Sequence, residues 1–86
     1  KQICEYPKVY MHHTVYYSKK YSEKFKFNSY TVAFLTDQNV EEYGEILSFY
    51  TCEECWFARI QPLDKPSSID IDLQKIQRMV IAVQVC

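Results

Sequence analysis

Short runs in which apolar and polar residues alternate indicate that the chain is built mainly from β-strands. Tyr30, Val32 and Phe34 point to one side of residues 28–36, and smaller or polar residues point to the other. Residues 9–17 are rich in Val, Tyr and Thr and predict an earlier strand. Between these strands, the polar, lysine-rich residues 18–26 have no apolar period, which predicts a loop.

The clearest pair of strands lies in the middle of the chain. Residues 43–51 and 56–63 are dense in apolar side chains, and only four residues separate them, which predicts a tight antiparallel hairpin. Gly44, at the start of the first strand, predicts a bulge or a close backbone approach. Ahead of the hairpin, the Asp-Gln-Asn sequence at 37–39 has turn chemistry.

The last part of the chain fits two patterns. Residues 69–73 alternate like a strand, while the spacing of apolar residues over 70–79 also fits a short helix. We favour strands, because the β-branched residues that follow pack poorly along a short helix. The prediction is a strand to residue 73, one helical turn at 74–76 and a final strand over 78–85.

Size and composition limit the architecture to one small domain. The chain has 86 residues, 48% of them hydrophobic, with eight Tyr, five Phe and one Trp. Five or six short antiparallel strands, with one helical turn before the last, predict a small closed barrel, because closure removes exposed strand edges. The start at Lys1 and the strand-like end suggest a domain excised from a longer protein. No apolar run approaches the ~20 residues that a membrane span needs.

The arrangement resembles the small SH3-like barrels of Tudor, chromo-barrel and bromo-adjacent-homology domains. The residues behind the resemblance are Tyr43-Gly44-Glu45-Ile46, Phe49, Phe57-Ala58-Arg59-Ile60, Leu73 and Ile76, and Val80-Ile81-Ala82-Val83. A similar arrangement occurs in barrel-like segments of transposon-derived reading frames. The resemblance implies a non-enzymatic interaction module in a chromatin-associated or transposon-derived factor, and an intracellular, nuclear location.

Aromatic residues are the main candidates for binding a protein or peptide partner, including a second copy of the chain, because Tyr and Trp are favoured at interfaces. Tyrosines expected outside the core supply one such surface, and four rings near strand ends (Tyr30, Phe49, Tyr50 and Trp56) are candidates for a cage around a methylated lysine, with Glu53 or Glu54 beside it. The predicted partner-binding residues are Tyr16, Tyr17, Tyr21, Tyr30, Tyr50 and Trp56. Core packing is the competing explanation for most of these rings.

Nucleic-acid binding is the alternative function. Ten basic residues against eleven acidic ones give no net positive field, which disfavours a dedicated nucleic-acid binder. Even so, the lysine-rich stretch interleaves charges with aromatic rings, a combination that binds single strands. The residues concerned are Lys19, Lys20, Lys24 and Lys26.

Cys52 and Cys55 form a Cys-x-x-Cys at the predicted hairpin tip, which makes a zinc-stabilised structural module the third candidate. A structural zinc needs four ligands, and the remaining candidates are Cys4, Cys86 and one of the adjacent histidines 12 and 13. Ordinary reduced cysteines are the favoured interpretation, so no cofactor is expected. With no orienting group or oxyanion site in view, we also expect no enzymatic activity.

Overall fold

The computed structural model of the chain describes residues 3–25 and 30–80. Antiparallel strands make up most of this part, so the prediction of a mostly β protein is confirmed. In chain order, the elements are β1 (Ile3–Tyr6), β2 (Lys8–Met11), β3 (Thr14–Tyr17), α1 (Lys19–Phe25), β4 (Thr31–Leu35), β5 (Glu41–Cys52), β6 (Cys55–Pro62), β7 (Ile69–Asp72), a 3₁₀ turn (Leu73–Lys75) and β8 (Ile76–Met79).

The longest strand, β5, organises a six-stranded sheet. β6 pairs along one edge of β5 for nearly its whole length. The other edge has two partners, because β4 pairs with residues 41–45 and β1 pairs with residues 49–52. β7 then adds to β6, and β8 adds to β4. The predicted hairpin between β5 and β6 and the turn at 37–39 are both confirmed.

A β-bulge bends β5 between its two outer partners. The pairing of β5 with β6 shifts by one residue between Ile46 and Ser48, so Leu47 is the extra residue. Strict alternation would place Ile46 and Ser48 on one face, but the bulge reverses the phase. Ile46 and Phe49, three residues apart, are therefore both fully buried on the same side.

The hairpin of β2 and β3 forms a separate two-stranded sheet that covers the core. Its Val9, Met11 and Tyr16 pack against a buried cluster supplied mainly by the large sheet. That cluster includes Val32, Phe34, Ile46, Phe49, Ala58, Ile60, Ile71 and Ile76. The core thus lies between the large sheet and the small hairpin.

The described strands do not form the closed barrel that the sequence predicted. β7 and β8 lie at opposite ends of the strand order, and within residues 3–25 and 30–80 these two strands do not pair. The physical reason is that the β2–β3 hairpin covers the core face, so the sheet buries its apolar side without rolling onto itself. The predicted extension of the last strand to residue 85 lies partly outside the described residues.

The ambiguous tail forms strands, as predicted. The 3₁₀ turn lies one residue earlier than expected, and the last strand begins at Ile76 instead of residue 78. Asp72 caps the turn, since its carboxylate accepts a hydrogen bond of 2.9 Å from the backbone N–H of Gln74.

The prediction of one continuous strand over residues 9–17 is wrong. The chain reverses at His12 and His13, whose φ angles of 53° and 61° make a two-residue hairpin turn between β2 and β3. The His12 ring lies edge-on to Tyr16 at 6.2 Å, and its Nε2 lies 3.2 Å from the backbone carbonyl oxygen of Ile76. These contacts connect the turn to the last strand.

The prediction of a loop over residues 18–26 is also wrong, because α1 forms there. Ser18 begins the helix, since its Oγ accepts a hydrogen bond from the N–H of Tyr21. The buried side of the helix includes Ser22, which has no exposed surface. A small polar residue therefore occupies a position where an apolar residue would have revealed the helix. No helix of the described residues is long and apolar enough to cross a membrane.

Gly44→Ala should destabilise the fold by about 1–3 kcal/mol, the usual cost of overpacking. A Cβ at this buried position would lie 2.9 Å from the backbone oxygen of Gln61 and 3.1 Å from Cε1 of Phe34. The expected close backbone approach at Gly44 is thus confirmed. Urea unfolding measures the loss, with the exposed Gln77→Ala as control. Equal midpoints for both variants would contradict this account.

The buried ring of Tyr16 should make stability fall in alkali. Burial raises the pKa of Tyr16 above its ordinary value near 10, and a backbone hydrogen bond with Met79 offsets part of the rise. Above pH 10 the unfolded chain ionises this tyrosine while the folded chain keeps its proton, so stability is lost as pH rises through the folded pKa. Tyr16→Phe should lose less stability than wild type between pH 10 and 11.5 in urea unfolding. Tyr10→Phe, at an exposed ring, is the control and should follow wild type.

Candidate interaction groove

Beyond the bulge, the large sheet has a core face and an outer face with very different residues. Phe49 is buried in the core, so the next residue, Tyr50, points to the opposite side. Directly paired residues share a face, which places Phe57 on the outer face beside Tyr50. The outer face of the sheet formed by β1, β5, β6 and β7 is therefore partly aromatic.

This outer face contains a groove of about 490 Å³, here named the sheet groove. It crosses four strands of the sheet, from β1 to β7. Its lining residues are Ile3, Glu5, Ser48, Tyr50, Cys52, Phe57, Arg59 and Asp70.

A stacked ring pair and an ion pair form the floor of the sheet groove. The rings of Tyr50 and Phe57 lie 5.4 Å apart with an interplanar angle of 23°. The guanidinium of Arg59 lies 5.8 Å from the centroid of Tyr50 and donates to the Asp70 carboxylate at 3.1 Å. Burial raises the pKa of Tyr50, and the nearby Asp70 carboxylate raises it further. The phenol is consequently neutral across the physiological range.

A second groove of about 310 Å³, named the helix groove, lies between α1 and the strands β1 and β5. Lys20, Tyr21 and Lys24 line it from the helix. The Tyr21 ring stacks on Tyr17, with centroids 5.3 Å apart and planes parallel within 1°. Glu5 and Ser48 line both grooves, so the two meet at these residues; together they are named the joined groove.

The two ends of the joined groove carry opposite charge. In the sheet groove, Arg59 is neutralised by Asp70, and Glu5 remains as a second carboxylate near the same guanidinium. In the helix groove, Lys20 and Lys24 contribute two positive charges against Glu5 at the boundary. The joined groove is thus acidic at its sheet end and basic at its helix end.

The structure distributes the predicted partner-binding residues among different surroundings. Tyr21 and Tyr50 line the joined groove, and Tyr17 lies against Tyr21. Tyr30 is half-buried, and its backbone carbonyl accepts a hydrogen bond from Ile46. Tyr16 was expected outside the core, but only 2% of it is exposed, so its ring is not available to a partner.

The four rings considered for a methyl-lysine cage do not converge. Phe49 is buried in the core, and Tyr50 points to the other face. Trp56 lies on the core side at the end of β6, where it contacts Tyr6 with ring centroids 4.9 Å apart. The bulge and the strand alternation therefore separate rings that are close in sequence.

Of the four lysines predicted for nucleic-acid binding, Lys20 and Lys24 line the helix groove. Lys19 forms an ion pair with Glu45 at 3.0 Å. Lys26 lies outside the described residues. The structure thus brings two of the predicted lysines together beside the ring of Tyr21.

Cys52 and Cys55 are directly opposite each other across the β5–β6 turn, and both are free thiols. Cys52 and Cys4 lie on opposite faces, because Cys4 pairs with the neighbouring Thr51. Among the described residues, no three Cys, His, Asp or Glu side chains are placed to bind one metal ion. This part of the chain therefore supplies two of the four ligands that a structural zinc requires.

Sequence reasoning missed Glu5, Phe57, Arg59 and Asp70 as site residues. They come from three strands that are distant in sequence, and only the pairing register places them together. One local signal was available, since Asp70 alternates with apolar residues in β7 and therefore had to lie on the face opposite the core.

Glu54→Gly should be more stable than Glu54→Ala by roughly 0.5–1 kcal/mol. Glu54 has a φ of 68° in the turn that places the two cysteines opposite each other, and a Cβ is unfavourable in this left-handed region. Both substitutions remove the carboxylate, so their difference isolates the backbone strain. Chemical unfolding of the two variants measures it, and a more stable alanine variant would show that this φ is not strained.

Comparison with family models, curated proteins and solved structures finds no match to this chain.

Proposed function

We propose that this domain is a non-enzymatic protein-interaction module that binds a peptide segment in the joined groove. The observation that carries the proposal is the stacked pair of Tyr50 and Phe57 on the outer face of the sheet. The solvent-facing side of an antiparallel sheet is usually polar, since only the core side needs apolar residues. An aromatic pair on that side, inside a groove, is typical of a binding surface.

The surroundings of the ring pair also support binding. Tyr and Arg are the residues that most often dominate interface energies, and Tyr50 lies beside Arg59. The ion pair with Asp70 fixes the guanidinium against the ring, so less side-chain entropy is lost when a partner arrives. The groove is built on paired strands, which makes it a rigid platform.

The chemistry of the grooves supports a binding function over a catalytic one. Cys52 is the thiol in the sheet groove, and neither histidine lines either groove, because both lie in the β2–β3 turn. In the described residues, Cys52 therefore has no imidazole in the groove to activate it.

We further propose that the fold is a variant of the SH3-like barrels and that the parent protein is a chromatin-associated or transposon-derived factor acting in the nucleus. The bent central strand and the 3₁₀ turn directly before β8 support this likeness. A reader of this kind would use the Tyr50–Phe57 pair in place of a four-ring cage.

Tyr50→Ala should lower peptide capture at least tenfold, because it removes half of the exposed ring pair. A phage-displayed library of random ten-residue peptides is panned on wild type, on Tyr50→Ala and on the control Tyr43→Ala. Tyr43 lies on the same strand and is similarly exposed, but it lines neither groove. Wild type and the control should enrich peptides equally, and near-identical circular dichroism spectra verify folding.

Two results would contradict the proposal. Equal capture by wild type and Tyr50→Ala would remove the sheet groove from any binding function. Binding of a single-stranded oligonucleotide that weakens steeply with salt, and is lost in Lys20→Glu, would favour the nucleic-acid alternative, which Lys20, Tyr21 and Lys24 support.

A further inference from the structure

We propose that the joined groove selects an extended peptide with segregated charges, placing a basic side chain over the sheet groove and an acidic side chain over the helix groove. This inference rests on the proposed peptide-binding function and adds the chemistry of the partner. It follows from the distribution of charged residues along the groove.

The sheet groove suits a cationic side chain. Two carboxylates, from Asp70 and Glu5, act on the guanidinium of Arg59, so one negative charge remains after the internal ion pair is counted. Asp72, which pairs across from Phe57, adds a further exposed carboxylate beside the rings. Arg59 itself lies against the Tyr50 ring, which demonstrates that this surface accepts a guanidinium.

The helix groove suits an anionic side chain. Lys20 is exposed, and it lines the groove together with Lys24 one helical turn later. Tyr21 adds an aromatic wall that supports the apolar part of a partner side chain. The one carboxylate among the lining residues is Glu5, which lies at the boundary with the sheet groove.

One extended peptide is long enough to occupy both grooves. They meet at Glu5 and Ser48, so a bound chain need not leave the surface between them. An eight-residue extended peptide spans about 26 Å, close to the 28 Å of the shortest dimension of the domain.

The bipolar groove also discriminates against uniformly charged partners. A uniformly basic peptide would place positive charge beside Lys20, and a uniformly acidic one would place negative charge beside Glu5 and Asp70. Like charges in contact oppose binding, so both classes lose at one end what they gain at the other. A peptide with segregated charges gains at both ends.

Panning a phage-displayed library of random ten-residue peptides tests the inference. On wild type, enriched peptides should carry Arg or Lys in one half and Asp or Glu in the other, at least threefold more often than the unselected library. On Lys20→Glu, the acidic half should disappear while the basic half remains. The matched control is Lys8→Glu, which makes the same charge change outside the joined groove and should select the same peptides as wild type.

The possible failures are distinct. Enrichment without charge segregation, or an unchanged selection on Lys20→Glu, overturns the charge inference while the peptide-binding function stands. Absence of any enrichment on wild type, with the folded state verified by its circular dichroism spectrum, overturns both.

Discussion

The β-bulge at Leu47 is the constraint on which the rest of the structure depends. Without the extra residue, β5 would keep one phase, and Ser48 instead of Phe49 would face the core. The bulge lets both Ile46 and Phe49 contribute to the core, and it lies where the outer partner of β5 changes from β4 to β1. The same phase change puts Tyr50 on the outer face. Core packing and groove formation therefore have one common cause.

The groove illustrates how a small sheet can be stable and still expose aromatic surface. The core is completed by the β2–β3 hairpin, so the large sheet does not need its outer face for burial. The outer side chains are instead stabilised by one another: Tyr50 stacks on Phe57, and Arg59 bridges the ring and Asp70. Exposed pairs of this kind add little to folding stability, because water screens the charges. Their arrangement is therefore free to serve recognition.

The sequence predicts the strands and the β5–β6 hairpin well, because alternation and turn chemistry are local signals. It does not reveal α1, since a buried serine replaces the expected apolar residue. It also hides the turn at His12 and His13, because such turns usually contain Asn or Gly. The site is less predictable than the fold. Tyr50 is recognisable as a candidate, but its neighbours Glu5 and Asp70 arrive through the pairing of strands far apart in sequence.

The contact between Tyr6 and Trp56 gives the protein a built-in spectroscopic reporter. Trp56 is the single tryptophan of the chain, and its ring lies 4.9 Å from a tyrosine on β1. All four residues of β1 are exposed, and the strand is attached to the sheet through β5. Detachment of β1 would change the surroundings of the indole while the core remained packed. Tryptophan emission thus follows the attachment of the N-terminal strand separately from global unfolding.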